Sequence, residues 1–211
     1  MDIIEDIDGR QSFFESWIQE MPQHKANRND ITALRYNISD LIKYIPERSL
    51  GNDIFSIVGQ TSVFVYYKKR DAILAAIELT QRPENLTVIS VGKDIDYEKN
   101  PPFVTDLYAA ALNIAQGKSL KLTSDNMMTS DGLEVWRRLL DQGYAISVFD
   151  QTNPGTSHVK IDDYSQLTQY FGTDPKYANY RYTLSESVTH WVHTVREVFL
   201  TRRLRELAGI A

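Results

Sequence analysis

Apolar residues change period several times along the chain, and each change marks an element. Phe13, Phe14, Trp17, Ile18 and Met21 recur at helical spacing until Pro22 interrupts them. Asp30 is suited to cap a second helix, whose face carries Ile31, Leu34, Ile38, Leu41, Ile42 and Ile45 before Pro46 stops it. From there the pattern turns β-like. Asp53 to Val58, Val63 to Tyr67, Ala72 to Leu79 and Leu86 to Val91 read as strands, separated by Gly59-Gln60, a charged tip at Lys68-Lys69-Arg70-Asp71, and a turn around Pro83. Ile73 to Ile77 also fits the start of a helix, but the tight flanking turns favour a strand.

The next segment alternates. Leu86–Val91 is followed by a loop, a helix from Phe103 to Ala115, a strand at Ser119–Thr123, a helix from Thr129 to Gln142 and a strand at Ala145–Phe149. After Asp150 the pattern is more broken. Asn153-Pro154-Gly155 marks a turn, His158–Ile161 a short strand, Asp163–Phe171 a short helix ending before Gly172, and Tyr180–Leu184 a strand. Ser185 or Ser187 can cap a long last helix with Val188, Val192, Val195 and Phe199 on one face. The expected organisation is a domain over residues 1–150 and an extension over 151–211, with a short strand and a long terminal helix.

Composition narrows the class. The chain has 211 residues, 42% apolar and 24% charged, enough for one substantial core. The absence of cysteine excludes disulfides and thiolate metal sites. A net charge of −5 argues against a nucleic-acid binder that relies on phosphate attraction. No apolar run approaches the roughly 20 residues of a membrane-spanning helix, and Met1-Asp2-Ile3-Ile4-Glu5-Asp6 lacks the basic start and apolar run of a signal peptide. A cytoplasmic protein with no membrane association is expected.

The order helix–helix–meander–helix–strand–helix–strand, ending its second helix at Gly143-Tyr144, resembles the Gcn5-related N-acetyltransferase (GNAT) superfamily over roughly Phe13 to Phe149. The resemblance implies an α/β fold with a mixed sheet flanked by helices. It also implies that Leu86–Val91 splays from Ser119–Thr123, with the pantetheine arm of acetyl-CoA in the splay. The N-terminus of the intervening helix would receive the pyrophosphate, because its N–H groups lack internal partners. Val91, Gly92, Asn100, Phe103, Val104 and Thr105 would then hold the cofactor, with backbone N–H groups near Val91 orienting the thioester carbonyl and Thr105 offering a hydroxyl. Glu78 would take a proton from an amine substrate; Tyr144, near in sequence to the position of the family's general acid, has a plainer reading as a packing residue in the place of the family's Phe, with an acid role as the alternative.

The chain departs from that pattern at two motifs. Its loop Gly92-Lys93-Asp94-Ile95-Asp96-Tyr97-Glu98-Lys99-Asn100-Pro101-Pro102 lacks the family's glycine spacing, and neither proline offers an N–H. Leu139 stands where the family's acidic Tyr sits, and Gly132 where it carries Asn. The run Ser130-Asp131-Gly132-Leu133-Glu134-Val135-Trp136 resembles divergent tailed-phage proteins of this fold. That likeness implies the alternative of a non-catalytic binding or virion-associated protein, engaging a protein partner through its C-terminal helix.

Other constellations have plainer readings. Glu78 on a strand is most simply a solvent-facing carboxylate; a base role requires burial. His190 and His193, with Glu186 and Glu197 nearby, share a helix face but lack a fixed third ligand, so no metal is expected. Asp94, Asp96 and Glu98 lack calcium-loop spacing. Ser124-Asp125 with His158 has no Gly-x-Ser-x-Gly context. Arg196, Arg202, Arg203 and Arg205 complement a helix C-terminus, and Trp191, Val195 and Phe199 make an apolar stripe for packing or for a partner.

Overall fold

The computed structural model describes residues 31–97, 101, 103–125, 128–153, 157–172 and 175–185, with residue 95 described by its backbone alone. The readings at residues 12–21 and at the terminal helix, including its His, Arg and Trp191 constellations, lie outside these residues.

The first described helix, α1 (Ile31–Leu41), buries Ile31, Leu34 and Ile38. Turns bonded Ile42 N–Ile38 O and Ile45 N–Leu41 O carry the chain on, so the regular helix is shorter than the apolar spacing predicts. The strands β1 (Arg48–Gly51), β2 (Ile54–Val58), β3 (Ser62–Lys69), β4 (Ala72–Gln81) and β5 (Asn85–Lys93) form an antiparallel run. β1 escaped the sequence reading because all its residues are exposed and nothing alternates. The β3–β4 tip tightens to Arg70-Asp71, both at positive φ, a combination that matches the twist of a two-residue hairpin.

Helix α2 (Val104–Gly117) leads to β6 (Lys121–Thr123), and α3 (Ser130–Asp141) to β7 (Ala145–Asp150). Ser119 sits in a turn at φ 57°, so β6 begins later than predicted. Thr129 caps α3 by accepting from Gly132 N–H at 3.1 Å. β8 (Val159–Ile161), the short α4 (Tyr164–Thr168) capped by Asp163, and β9 (Tyr180–Ser185) complete the described chain.

All nine strands join one mixed sheet in the order β1-β2-β3-β4-β5-β6-β9-β7-β8. The expected division after Asp150 therefore runs through the sheet, because β9 lies between β6 and β7. The α/β class with helices flanking a mixed sheet agrees with the sequence reading.

One sheet face carries the main core. Val63, Val65, Ala75, Ile77, Leu79, Leu86 and Val88 meet Leu107, Ala111, Leu112 and Ala115 of α2 and Leu133, Trp136 and Leu139 of α3. Trp136 is 1% exposed, edge-on to Tyr108 at 5.8 Å and tilted against Tyr182 at 5.6 Å. Such aromatic pairs contribute about 0.5–1.5 kcal/mol beyond their buried area. The opposite face buries Ile57, Phe64, Tyr66, Ile73 and Ala76 under α1.

Across β5, β6, β9, β7 and β8, register sets Leu86, Leu122, Leu184, Ile146 and Ile161 side by side on the core face. The adjoining register positions set Thr80, Thr87, Thr123, Thr183 and Ser147 in a row on the other face, spanning β4, β5, β6, β9 and β7.

Helix α1 approaches the sheet closely at Gly92, where a Cβ would lie 2.9 Å from Ile31 Cα and 3.1 Å from Leu34 Cδ1. Arg35 secures the same contact, donating from Nε to Ile73 O at 2.7 Å and pairing with Asp94. Because one of the clashing atoms is backbone, Gly92→Val is expected to destabilise the fold by about 1–3 kcal/mol, read as a lower urea midpoint with unchanged slope.

Candidate functional site

The junction between β5 and β6 is short. The two strands run parallel, and only Asn85–Thr87 pairs, with Lys121–Thr123. Thr87 Oγ1 and Thr123 Oγ1 lie 3.0 Å apart at the last pair. β5 continues to Lys93, and among the described residues no strand pairs with Val88–Lys93 on that side. β6 ends at Thr123, and β5 is irregular just past this point. Glu78 pairs with Ser90 and Leu79 with Val88, so Ile89 is an extra residue in β5, a bulge that bends and twists the strand just past its last pair with β6.

Glu78 lies on β4 beside this stretch of β5, at the level of Ser90. Its cross-strand neighbours are Phe64 and Ser90, and it sits between buried Ala76 and half-buried Thr80 along β4. Among the described residues no cation or hydrogen-bond donor reaches the carboxyl, and burial alone pushes its pKa up to about 7. The plain reading of a freely solvated strand carboxylate does not hold.

The other sequence candidates scatter. Val91 packs against the main core. Gly92 is covered by α1. Asn100 lies outside the described residues. Phe103 is 45% exposed, and its N–H donates to Asp106 Oδ2 at 3.3 Å. Val104 opens α2 and packs against the core. Thr105 is buried, and its hydroxyl accepts from Gln142 Nε2 at 3.2 Å. Lys93 is also buried, with Nζ 5.5 Å from the Phe103 ring centroid, which sets a cation beside the start of α2.

Tyr144 is a core residue with 9% exposure, packed among the aromatic and aliphatic side chains between α3 and the sheet. Leu139 is fully buried. Ser124 and His158 are not brought together. Ser124 Oγ accepts from Tyr182 N–H at 3.0 Å and donates to Asp125 O at 3.1 Å, whereas His158 contacts Ser147 and Phe149.

Asp94 pairs with Arg35, which holds its carboxyl below the usual range, and accepts from Asp96 N–H. Among the described residues no group of three or more His, Asp or Glu is placed to hold a metal ion. None of their helices is long and apolar enough to cross a membrane. The start of α2 thus has mixed electrostatics: the positive end of the helix dipole and Lys93 favour an anion, and Asp106 opposes one.

Scans against protein-family models, curated proteins and solved structures return no match to this chain.

Glu78 couples folding to pH. The folded chain keeps it protonated up to about pH 7, whereas the unfolded chain ionises it near 4.5. Between those values the folded form holds more protons, so its contribution is full at acidic pH and declines as pH rises to about 7. Discounting for its partial exposure, Glu78→Gln is expected to flatten this slope and to raise stability at pH 8 by about 2 kcal/mol. Urea unfolding at a series of pH values reads it directly, and an unchanged slope would contradict the assignment.

Proposed function

We propose that this chain is an acyl-CoA-dependent N-acyltransferase of GNAT-like design, moving an acyl group from a CoA thioester to an amine. The observation that supports the reading is the short parallel β5–β6 pairing, which ends at Thr87 and Thr123 while β5 runs on to Lys93. Beyond it no strand among the described residues pairs with that side of β5, and backbone groups there would suit the extended, amide-bearing pantetheine chain in the way an edge strand suits a peptide. The donor's phosphates would meet the start of α2 beside Lys93. Since the Thr105 hydroxyl is committed to Gln142, backbone N–H groups there are the better ligands.

In the reaction the substrate nitrogen attacks the thioester carbonyl. The C–N bond forms, the C–S bond breaks, and the nitrogen loses a proton to Glu78 directly or through one water. The departing thiolate takes up a proton in turn. Glu78 suits the base role because a carboxyl with a pKa of about 7 is partly ionised at neutral pH and is a stronger base than an ordinary carboxylate. Tyr144, packed in the core, is poorly suited to protonate the thiolate, so the proton gathered by Glu78 or one from solvent serves instead.

A second reading, a binding or virion-associated protein of the same fold without catalysis, is favoured by one feature. The Asp106 carboxylate already occupies the Phe103 N–H at the helix start, where a phosphate would bind.

Acetyl-CoA separates the two. A native-state ligand at a hundredfold its Kd stabilises by about 2.7 kcal/mol, so a clear rise in thermal midpoint is expected at millimolar acetyl-CoA. Phe103→Glu, an exposed change that adds negative charge at the helix start, is expected to abolish the rise, and Asp106→Asn to enlarge it. Glu78→Gln is expected to lower acyl transfer by about 10²–10⁴-fold, and the wild-type rate to climb with pH to a plateau above about 7. No rise at millimolar acetyl-CoA would reject the enzyme in favour of the second reading.

A further inference from the structure

We propose that Glu78, Ser90 and Thr80 form a binding site for the ammonium group of a primary alkylamine. The proposal rests on the acyltransferase reading only in placing the amine at Glu78, and it names which amine fits there. Register puts the three side chains on one sheet face: Glu78 stands directly across from Ser90, and Thr80 follows two positions along β4. Directly opposed side chains sit about 5 Å apart and same-face neighbours along a strand about 7 Å, so one small cation is within reach of all three.

The cluster lies where the cover of α1 ends. Ala76 and Gly92, the next pair along the ladder, are buried on the α1 side, whereas Glu78, Thr80 and Ser90 are half-buried. Among the described residues no hydrogen bond engages the Glu78 carboxyl or the Ser90 and Thr80 hydroxyls. The Thr183 hydroxyl is the one partnerless side-chain atom among them that solvent cannot reach, so these three groups remain accessible. A carboxylate and two hydroxyls held partly out of water gain from a charged donor.

Charge and donor count select the ligand. The cations of the neighbouring elements are engaged elsewhere: Arg35 of α1 with Asp94, Lys43 with Asp40, and Lys68 of β3 with Glu47. Lys93 of β5 stands opposite Ala75 on the main-core face, beside Phe103. A primary ammonium brings three N–H donors to the three acceptors, and a quaternary ammonium brings none. A divalent metal fits poorly, because one carboxylate and two hydroxyls fall short of its oxygen shell. Ile89 sets the rest of the ligand. This bulged residue beside Ser90 is 42% exposed and belongs to neither core, and an alkyl chain on the ammonium would cover it.

Pentylamine hydrochloride, titrated into the full chain at pH 8 and followed by NMR of backbone amides, tests the site. Saturable shifts are expected at Glu78, Thr80, Ile89 and Ser90. Affinity is expected to fall by about tenfold at pH 6, where burial keeps most of Glu78 protonated. Pentyltrimethylammonium, with the charge but no N–H, and pentanol, with the chain but no charge, are each expected to bind at least about tenfold more weakly. Glu78→Gln is expected to remove the shifts, and Ser90→Ala to weaken pentylamine severalfold. Absence of saturable shifts at about 20 mM pentylamine would overturn the proposal, as would equal binding of pentyltrimethylammonium or an unaffected Glu78→Gln variant. The two readings fail separately. Amine shifts without a midpoint rise from acetyl-CoA keep this site and reject the acyltransferase, and a rise without the shifts does the reverse.

Discussion

Three consecutive residue pairs hold the two halves of the sheet together. β1 to β5 form an antiparallel run, β6 to β9 a second group, and the contact between Asn85–Thr87 and Lys121–Thr123 is the bridge. Parallel pairs are somewhat weaker per residue than antiparallel ones, so so short a bridge needs reinforcement from packing. Helix α2 supplies it. Its Leu107, Ala111, Leu112 and Ala115 share one core with Val65, Ala75 and Ile77 of the first half and with Leu122, Leu184 and Ile146 of the second. So short a pairing suffices because the helix packs against both halves.

The stretch of β5 beyond Thr87, which no strand among the described residues pairs on its β6 side, is anchored at both ends. At one end it is bonded to β6. At the other, Gly92 fits against Ile31, and Arg35 of α1 reaches both Ile73 O and Asp94. Between these anchors the bulge at Ile89 takes up the bend. An edge held this way presents its backbone groups in a fixed arrangement, which lowers the ordering cost for any extended chain laid along it.

The sequence made much of the fold legible because alternation and helical spacing are strong signals where one face is buried. β3, β4, β5, α2, α3 and β7 stand close to their predicted places. Exposed β1 carries no such signal. Nor does alternation say which strands become neighbours, so the insertion of β9 between β6 and β7 is invisible in residues 151–185 taken alone. At the candidate site, the position of Glu78 on the third meander strand was readable. Its desolvation was not, because that depends on Phe64 and Ser90 across the ladder and on the helix over Ala76. The Thr105 hydroxyl looked available in sequence, and only the fold brings Gln142 to it from 37 residues away.

The paired rows of leucine-type and hydroxyl side chains also act as a lock on alignment. Sliding β9 by a single position would drive Thr183 into the hydrocarbon interior and turn Leu184 toward the polar side, and the same exchange would follow for Thr123 with Leu122 or Ser147 with Ile146. Every strand from β5 to β7 carries this penalty for misalignment. A strand as brief as β6, with too few backbone bonds to define its own frame, is thereby held in the right one by the chemistry of its side chains.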